Sequence, residues 1–257
     1  MMVILQSIQS EWIKKKHSSA SWLTIAGALF IPAIVLFRRI LYSETLVQSN
    51  SSEKIWNMLY NQCWNYMSIF LLPIGIILTA SLLAQIEFRN NSWKQVHTTP
   101  QPFTVLFFAK FCIAITMLIQ FFLLFNVGIV LTGMIPALLF RDVPFPKQNF
   151  PYQEFLTGNA KFFLYSLPIL SLQYLLSIHI RNFMVPIGVG FAMVIASLIA
   201  VSWKYGYFLP YTYCSKQFLI HDNRIDPDIN IFGWSVGYFL LFTTLNYILY
   251  INQKSRG

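Results

Sequence analysis

Long apolar runs, separated by short polar or aromatic segments, recur from one end of the chain to the other. A helix needs about 20 apolar residues to cross the hydrocarbon core of a bilayer. The runs do not show the alternation of apolar and polar positions that a membrane barrel strand requires. The pattern therefore predicts an all-α membrane protein with six transmembrane helices. The predicted spans cover residues 21–37, 64–84, 103–133, 162–178, 183–203 and 231–251.

The first residues, 1–17, show a different, amphipathic pattern. Leu5, Ile8 and Trp12 recur at helical spacing, and a cluster of lysines occupies positions 14–16. An aromatic edge and a basic end are typical of a helix that lies in the membrane interface. The apolar run that follows has no Ala-x-Ala cleavage site before its end, so we expect an uncleaved interfacial helix that leads into the first span.

The polar connections predict how the chain is oriented. Arg38 and Arg39 bound the first span, and the segments 40–62, 134–159 and 204–230 are predicted loops outside the hydrocarbon. The last loop opens with several aromatic residues, which predicts either an interfacial belt or a shallow re-entrant segment. Six crossings place both termini on one side, and the lysine cluster before the first span favours the cytoplasm for that side.

Composition agrees with a membrane setting. Of the 257 residues, 56% are hydrophobic and 11% are charged, whereas soluble proteins carry about 25% charged residues. The net charge of +9 would suggest nucleic acid in a soluble protein, but here basic residues flank spans. Cys63, Cys112 and Cys214 match no metal-binding spacing. A disulfide between Cys63 and Cys214 is possible on the outer side, and free thiols are favoured.

The spans contain few residues that carry chemistry. The sequence has no phosphate-binding loop and no His-Glu-x-x-His motif, so we expect no catalytic residue and no metal site. Ionisable residues are almost missing from the spans, and Lys110 lies near the end of one. Neutral polar side chains either join helices by hydrogen bonds worth about 0.6–2 kcal/mol each or line a substrate path. The candidates for lining are Gln120, Asn126, Ser171, Gln173 and Asn246.

Small and cyclic residues add two weaker signals. Gly233 and Gly237 form a small-x-x-x-small pair at the start of the sixth span, which permits close contact with a helix of a second copy or a sister subunit. Pro73, Pro168 and Pro186 are expected to kink their helices, which is common in membrane spans.

A polar stretch, residues 87–100, separates the second and third spans. It is too short to be anything but a connection at the membrane face. Residues 87–95 can form about two and a half helical turns, and Pro100 and Pro102 then stop the helix. We therefore predict a small helix under the membrane that is offered to another protein.

Residues 84–95 read AQIEFRNNSWKQ. They resemble the Glu-x-Arg-Asn-Gly-Thr-Trp-Lys-Gln signature between the second and third spans of type-2 ABC exporter permeases. The resemblance continues through Thr99-Pro100 and Ala109-Lys110, and through residues 167–188 at the join of the fourth and fifth spans. Asn91 stands where the family commonly has Gly, and Asn is also tolerant of positive φ.

This resemblance implies a single transmembrane permease domain over residues 1–257, with a cytoplasmic coupling helix that docks on a separate ABC ATPase. The residues implied in ATPase coupling are Glu87, Arg89, Asn90, Trp93, Lys94 and Gln95. ATP and Mg would belong to the partner ATPase, with no cofactor in this chain. The expected partners are an ATPase dimer, a second permease subunit (identical or sister) and the lipid bilayer, without nucleic acid.

The resemblance leans towards the branch that protects bacteria from lantibiotic-type antimicrobial peptides, so the expected substrate is an amphipathic peptide or another lipophilic molecule exported across the bacterial cell membrane. An alternative is an ATPase-independent channel or a scaffold subunit, for which the match at 84–95 would be a coincidence. A membrane enzyme is the least favoured function, because the spans lack a nucleophile, a base and a metal cluster.

Overall fold

The computed structural model describes residues 2–16, 18–89, 102–180, 182–221 and 230–252. All regular structure in these residues is helical, which confirms the all-α class. The helices are α1 (Met2–Lys15), α2 (Ser19–Leu41), α3 (Leu46–Asn50), α4 (Ile55–Tyr66), α5 (Leu72–Arg89), α6 (Phe103–Leu139), α7 (Tyr152–His179), α8 (Met184–Ala200), α9 (Tyr213–His221) and α10 (Ile231–Asn252).

Within the described ranges, five helical segments are long and apolar enough to cross a membrane: α2, Ile55–Ile86, α6, α7 and α10. The chain is therefore a multi-pass membrane protein. Helix α8 has 17 residues, a length of about 25 Å at 1.5 Å per residue, so it is shorter than the usual hydrocarbon thickness. The crossing of α8, and with it the count of six, stays a prediction.

The second transmembrane helix begins earlier than the sequence indicated. Helix α4 starts at Ile55, inside the predicted loop 40–62, and a π turn at Met67–Leu71 joins it to α5. The side chains of Ile55, Leu59 and Cys63 recur at helical spacing and are fully buried, so this part of the segment belongs to the core despite its polar neighbours. The π turn ends two residues before Pro73, which has no N–H to continue the regular pattern.

The predicted outer loop 134–159 is also partly helical. Helix α6 continues to Leu139, and α7 begins at Tyr152. Only the connection between them is irregular, and it is held to α4 because the Trp56 indole Nε1–H donates to the Gln148 carbonyl at 2.9 Å. The two long helices therefore extend beyond the predicted spans on the same side of the molecule.

Helix α6 continues past the predicted end at residue 133 although it contains Pro136. It lies inside the helix and has no N–H to donate to the carbonyl of Thr132, four residues earlier. The Arg39 guanidinium Nη1 donates to that carbonyl instead, at 2.9 Å. Arg39 is only 8% exposed, and α2 continues to Leu41. Arg39, which the sequence predicted to bound the first span, is therefore buried against α6, and the end of that span stays a prediction.

Pro168 has the same effect in α7. Its ring leaves the Leu164 carbonyl without the usual helical donor, and the Ser235 hydroxyl of α10 donates to that carbonyl at 2.9 Å. Ser235 is buried although most of α10 is exposed. The hydrogen bond therefore joins α10 to α7 at the position where the proline interrupts the backbone ladder.

The segment 204–221 begins at the surface of the molecule and ends in its core. Its first aromatic residues, Tyr205 and Phe208, are exposed. Tyr211, Tyr213 and Cys214 are instead fully buried. Both predicted placements in the membrane, an interfacial belt and a re-entrant segment, stay predictions.

The core is built largely from aromatic side chains. Trp64 of α4 stacks on Phe162 of α7 with ring centroids 3.8 Å apart, and its edge meets Phe125 of α6 at 5.0 Å. Such contacts add about 0.5–1.5 kcal/mol to the burial of area. The cysteines are free thiols, and burial raises the pKa of Cys214 because the thiolate would lose its hydration.

Candidate functional site

The two helices that flank the predicted coupling residues in the sequence are α5 and α6. Helix α5 continues through Arg89, so Glu87 and Arg89 belong to its last turn, and α6 begins at Phe103. The side chains of Glu87 and Arg89 lie outside the described part of the chain, as do Asn90, Trp93, Lys94 and Gln95. The two helices that flank this segment are therefore described, and the predicted docking surface is not.

Helix α1 is fastened to α6 near this end by a cluster of charges. The Glu11 carboxylate accepts a hydrogen bond from Lys14 at 2.6 Å and pairs with Lys110 of α6 at 3.4 Å. Lys110 is 5% exposed, so its ammonium is largely removed from water. The expectation that Lys110 simply lies near the end of a span missed this partner, because sequence alone does not show that α1 packs along α6.

A second lysine of α1 also reaches α6. The Lys15 ammonium donates to Gln120 Oε1 at 2.7 Å and lies 4.3 Å from the ring centroid of Trp12. Burial lowers the pKa of Lys15, because the charged form loses hydration. Gln120, one of the predicted substrate-lining residues, is therefore engaged with α1 in this conformation.

Gln173 is the centre of a buried hydrogen-bonded cluster. Its amide Nε2 donates to the Pro186 carbonyl at 2.8 Å and approaches Ser81 Oγ at 3.4 Å. Its Oε1 accepts from the Tyr211 hydroxyl at 3.2 Å. Ser81 also contacts Ser177 through their hydroxyls at 3.2 Å. This Gln173 cluster joins α5, α7, α8 and the segment 204–221 at one point.

The remaining predicted lining residues lie elsewhere. Asn126 exchanges two amide hydrogen bonds with Asn159 of α7, at 3.0 and 2.8 Å. The Ser171 hydroxyl donates to the Pro168 carbonyl of its own helix. Asn246 is 0% exposed, and neither amide atom has a hydrogen-bond partner among the described residues. The five predicted residues do not form one surface, so their role in lining a path stays a prediction.

The glycine pair of α10 borders an open groove. Gly237 has open space where a Cβ would be, and the N–H of Gly233 donates to Asn230 Oδ1 at 3.0 Å. Trp234, Tyr238 and Leu241 form the sides of this groove. The geometry leaves room for another helix, and contact with a second subunit stays a prediction.

Sequence reasoning missed the buried cations and their partners. Arg39 is recognisable as basic, but its acceptors on α3 and α6 are distant in sequence; the Asn50 amide oxygen accepts from Nη2. The lysines of α1 were assigned to the interface without partners. A cluster of acid and base at helical spacing, Glu11 with Lys14 and Lys15, was the available signal.

In the portion of the chain that the structure describes, no group of His, Cys, Asp or Glu side chains is arranged to hold a metal ion. No curated protein and no solved structure matches the chain. The sequence profile of the ABC-2 family transporter proteins matches residues 7–197, more than half of the 257 residues. The matched region begins in α1, includes the segment 87–100 and ends in the last turn of α8. The chain therefore belongs to the ABC-2 family of transporter proteins and is a permease component of an ABC transporter.

Proposed function

We propose that the chain couples ATP hydrolysis by a separate cytosolic ABC ATPase to the export of an amphipathic substrate. The observation that carries the proposal is the continuity of α5. The helix runs from the Gln173 cluster at Ser81 through Arg89, directly into the segment that resembles a coupling helix. A displacement of that segment would move α5, because its first residues, 87–89, belong to the last turn of the same hydrogen-bonded helix.

The Gln173 cluster is the point at which such a movement would spread. Ser81 contacts Ser177 of α7 and the Gln173 amide, and the same amide is bonded to α8 and to Tyr211. Helix α1 would move with α6, since the Glu11–Lys110 pair fastens the two helices. The proposed movement would therefore change the packing of residues 204–221 as well as that of the helices nearest the ATPase.

The other parts of the proposal follow from the family and the sequence. Two ATPase subunits would hold ATP and Mg, and a second permease, identical or a sister chain, would complete the transporter in the bacterial cell membrane with both termini in the cytoplasm. The proposed substrate is an antimicrobial peptide of lantibiotic type. Its amphipathic character would suit spans whose surfaces are rich in apolar side chains.

Capture of the ATPase tests the coupling. The tagged chain is purified from its native host, and a Walker-motif ATPase is sought at a stoichiometric ratio. We expect the ATPase to be lost in the double variant Arg89→Ala, Trp93→Ala, because an aromatic anchor and a charged partner dominate small docking surfaces. The matched control, Arg141→Ala with Trp203→Ala, changes the same residue types at exposed positions outside 87–100 and should retain it.

Retention of the ATPase by the first double variant would contradict the proposed docking residues. Purification of the chain without any ATPase, together with ion conductance in planar bilayers, would instead support the channel alternative. A sister permease in the captured complex would distinguish a heteromeric pair from a homodimer.

A further inference from the structure

A cleft of about 240 Å³, whose walls are mainly apolar but carry several polar and charged side chains, lies at the end of the molecule opposite the last described turn of α5. We call it the outer cleft; α4, α7 and α9 form its walls. Asn57 of α4 is 32 residues from Arg89 along one nearly continuous helix, so the two ends are more than about 40 Å apart. The residues that line the outer cleft and are used below are Tyr60, Asn61, Glu154, Lys161, Phe162 and Gln217.

The outer cleft is held open by close packing of two parallel helices. Asn57 donates to the Glu154 carboxylate at 2.8 Å, and the Tyr60 and Phe155 rings have centroids 4.6 Å apart. A Cβ at Gly158 would lie 2.2 Å from the Tyr60 hydroxyl. Glycine at this position therefore lets the tyrosine lie flat against α7.

Two polar atoms in the walls of the outer cleft are buried and unsatisfied. The Tyr60 hydroxyl and Asn61 Oδ1 have no hydrogen-bond partner in the described ranges, and Tyr60 is only 7% exposed. A buried polar atom without a partner costs about 1–3 kcal/mol. Both atoms are closed off from solvent in this conformation, so the exposed charges of the outer cleft, and not these two atoms, are what a ligand can reach first.

The charges of the outer cleft define the ligand. Glu154 and Lys161 are exposed and lie seven residues apart on the same face of α7, a separation of about 10 Å along the helix. An extended chain of about three residues spans the same distance. The two charges of a phosphatidylethanolamine headgroup are joined by only a two-carbon bridge, which is too short to reach both side chains.

We propose that the outer cleft binds the C-terminal end of a cationic peptide in an extended conformation. The terminal carboxylate lies beside Lys161, with the Gln217 amide nearby. A basic side chain about two residues earlier lies beside Glu154, and its aliphatic stem packs on the Tyr60 and Phe155 rings. This inference rests on the proposed function, since it specifies which peptides the exporter would recognise.

Binding of a short peptide tests the inference directly. The full chain in nanodiscs, without ATPase, is titrated against fluorescein-labelled Lys-Ala-Ala with a free C-terminal carboxylate, and fluorescence anisotropy is measured. We expect the C-terminal amide of the same peptide to bind about tenfold more weakly. Lys161→Gln should weaken binding of the acid by a similar factor and leave binding of the amide unchanged. Lys161→Arg should retain much of the binding of the acid.

Glu154→Gln tests the other end of the site. It should weaken Lys-Ala-Ala by a factor of about 3–10 and have little effect on Ala-Ala-Ala. The control is Lys147→Gln, which removes an exposed charge from the same end of the chain but not from the outer cleft.

The inference would be overturned if Lys-Ala-Ala did not bind to the wild-type chain, or if its acid and amide forms bound equally. It would also be overturned if Lys147→Gln abolished the binding of both forms. Displacement of the peptide by phosphatidylethanolamine added to phosphatidylcholine nanodiscs would also overturn it and would indicate a lipid headgroup. Because the ATPase takes no part, failure here with successful ATPase capture would refute the outer cleft alone.

Discussion

Pro136 and Pro168 each leave one helix carbonyl without its backbone donor, and in both cases a side chain from another helix supplies a replacement. The cost of an unsatisfied carbonyl is higher where water is excluded. The prolines therefore determine where α2 and α10 pack. For Pro168 this is a more specific role than the kink expected from the sequence.

This role predicts an unusual double-mutant cycle for Ser235 and Pro168. Ser235→Ala should destabilise the wild-type chain by about 1 kcal/mol, because the Leu164 carbonyl loses its donor. In the Pro168→Ala background the new backbone N–H can donate to that carbonyl, so Ser235→Ala should leave the free energy of unfolding almost unchanged. Thermal unfolding midpoints in one detergent give the four values needed. Equal costs in both backgrounds would contradict the pairing.

A second cycle examines the Gln173 cluster. Gln173→Leu should cost more than Tyr211→Phe, because it removes the hydrogen bond to the Pro186 carbonyl and also leaves the buried Tyr211 hydroxyl without its acceptor, at about 1–3 kcal/mol for that hydroxyl. The double variant should be less destabilised than the sum of the two. Additive effects on the free energy of unfolding would indicate that the Tyr211–Gln173 hydrogen bond contributes little.

At the scale of elements, α1 is an integral part of the packing. Its amphipathic pattern indicated a helix in the membrane interface, but the pattern does not identify the side chains of α6 that Glu11 and Lys15 contact. These pairs join residues about 100 positions apart, beyond the reach of any local periodicity. Helix boundaries were least predictable where polar residues lie on the buried side, as in α4.

The ion pair between Glu11 of α1 and Lys110 of α6 leads to a prediction for Glu11. Glu11→Gln should weaken the packing of α1 on α6, because the buried Lys110 loses its contact with the Glu11 carboxylate. Lys14→Gln is the matched control: its side chain is 39% exposed, and a pair of that kind contributes about 0–1 kcal/mol. Hydrogen exchange of the α1 amides should be accelerated in the first variant and unchanged in the second. Equal protection in both would show that the pair does not hold α1.

At the scale of the whole molecule, one nearly continuous helical segment connects the outer cleft with the last described turn of α5. The 87–100 segment follows α5, and the outer cleft lies at the start of α4, which continues into α5 through the π turn. The helical class, the membrane setting and the number of apolar runs were predictable because each depends on composition over about 20 residues. The outer cleft was not predictable, because its walls come from three separate parts of the chain.

The orientation of the molecule can be measured with single cysteines. In a Cys112→Ser background, whose other cysteines are buried, Ser52→Cys should react with an impermeant maleimide added to intact cells. Ser10→Cys should react only after the membrane is opened. Both serines are exposed, so access depends on the side of the membrane. The reverse pattern would place the 87–100 segment outside the cell and contradict ATPase coupling.

The apolar runs by themselves determined that this protein is helical and spans a membrane, since every backbone group in hydrocarbon needs a partner and a helix provides it locally. The short motif at 84–95 indicated the transporter class that the family match supports. Only the tertiary structure decided which polar side chains meet: Arg39 with the carbonyl freed by Pro136, Lys110 with Glu11, and Gln173 with Tyr211. These contacts depend on how separate helices pack in three dimensions, and no local pattern of residues contains that information.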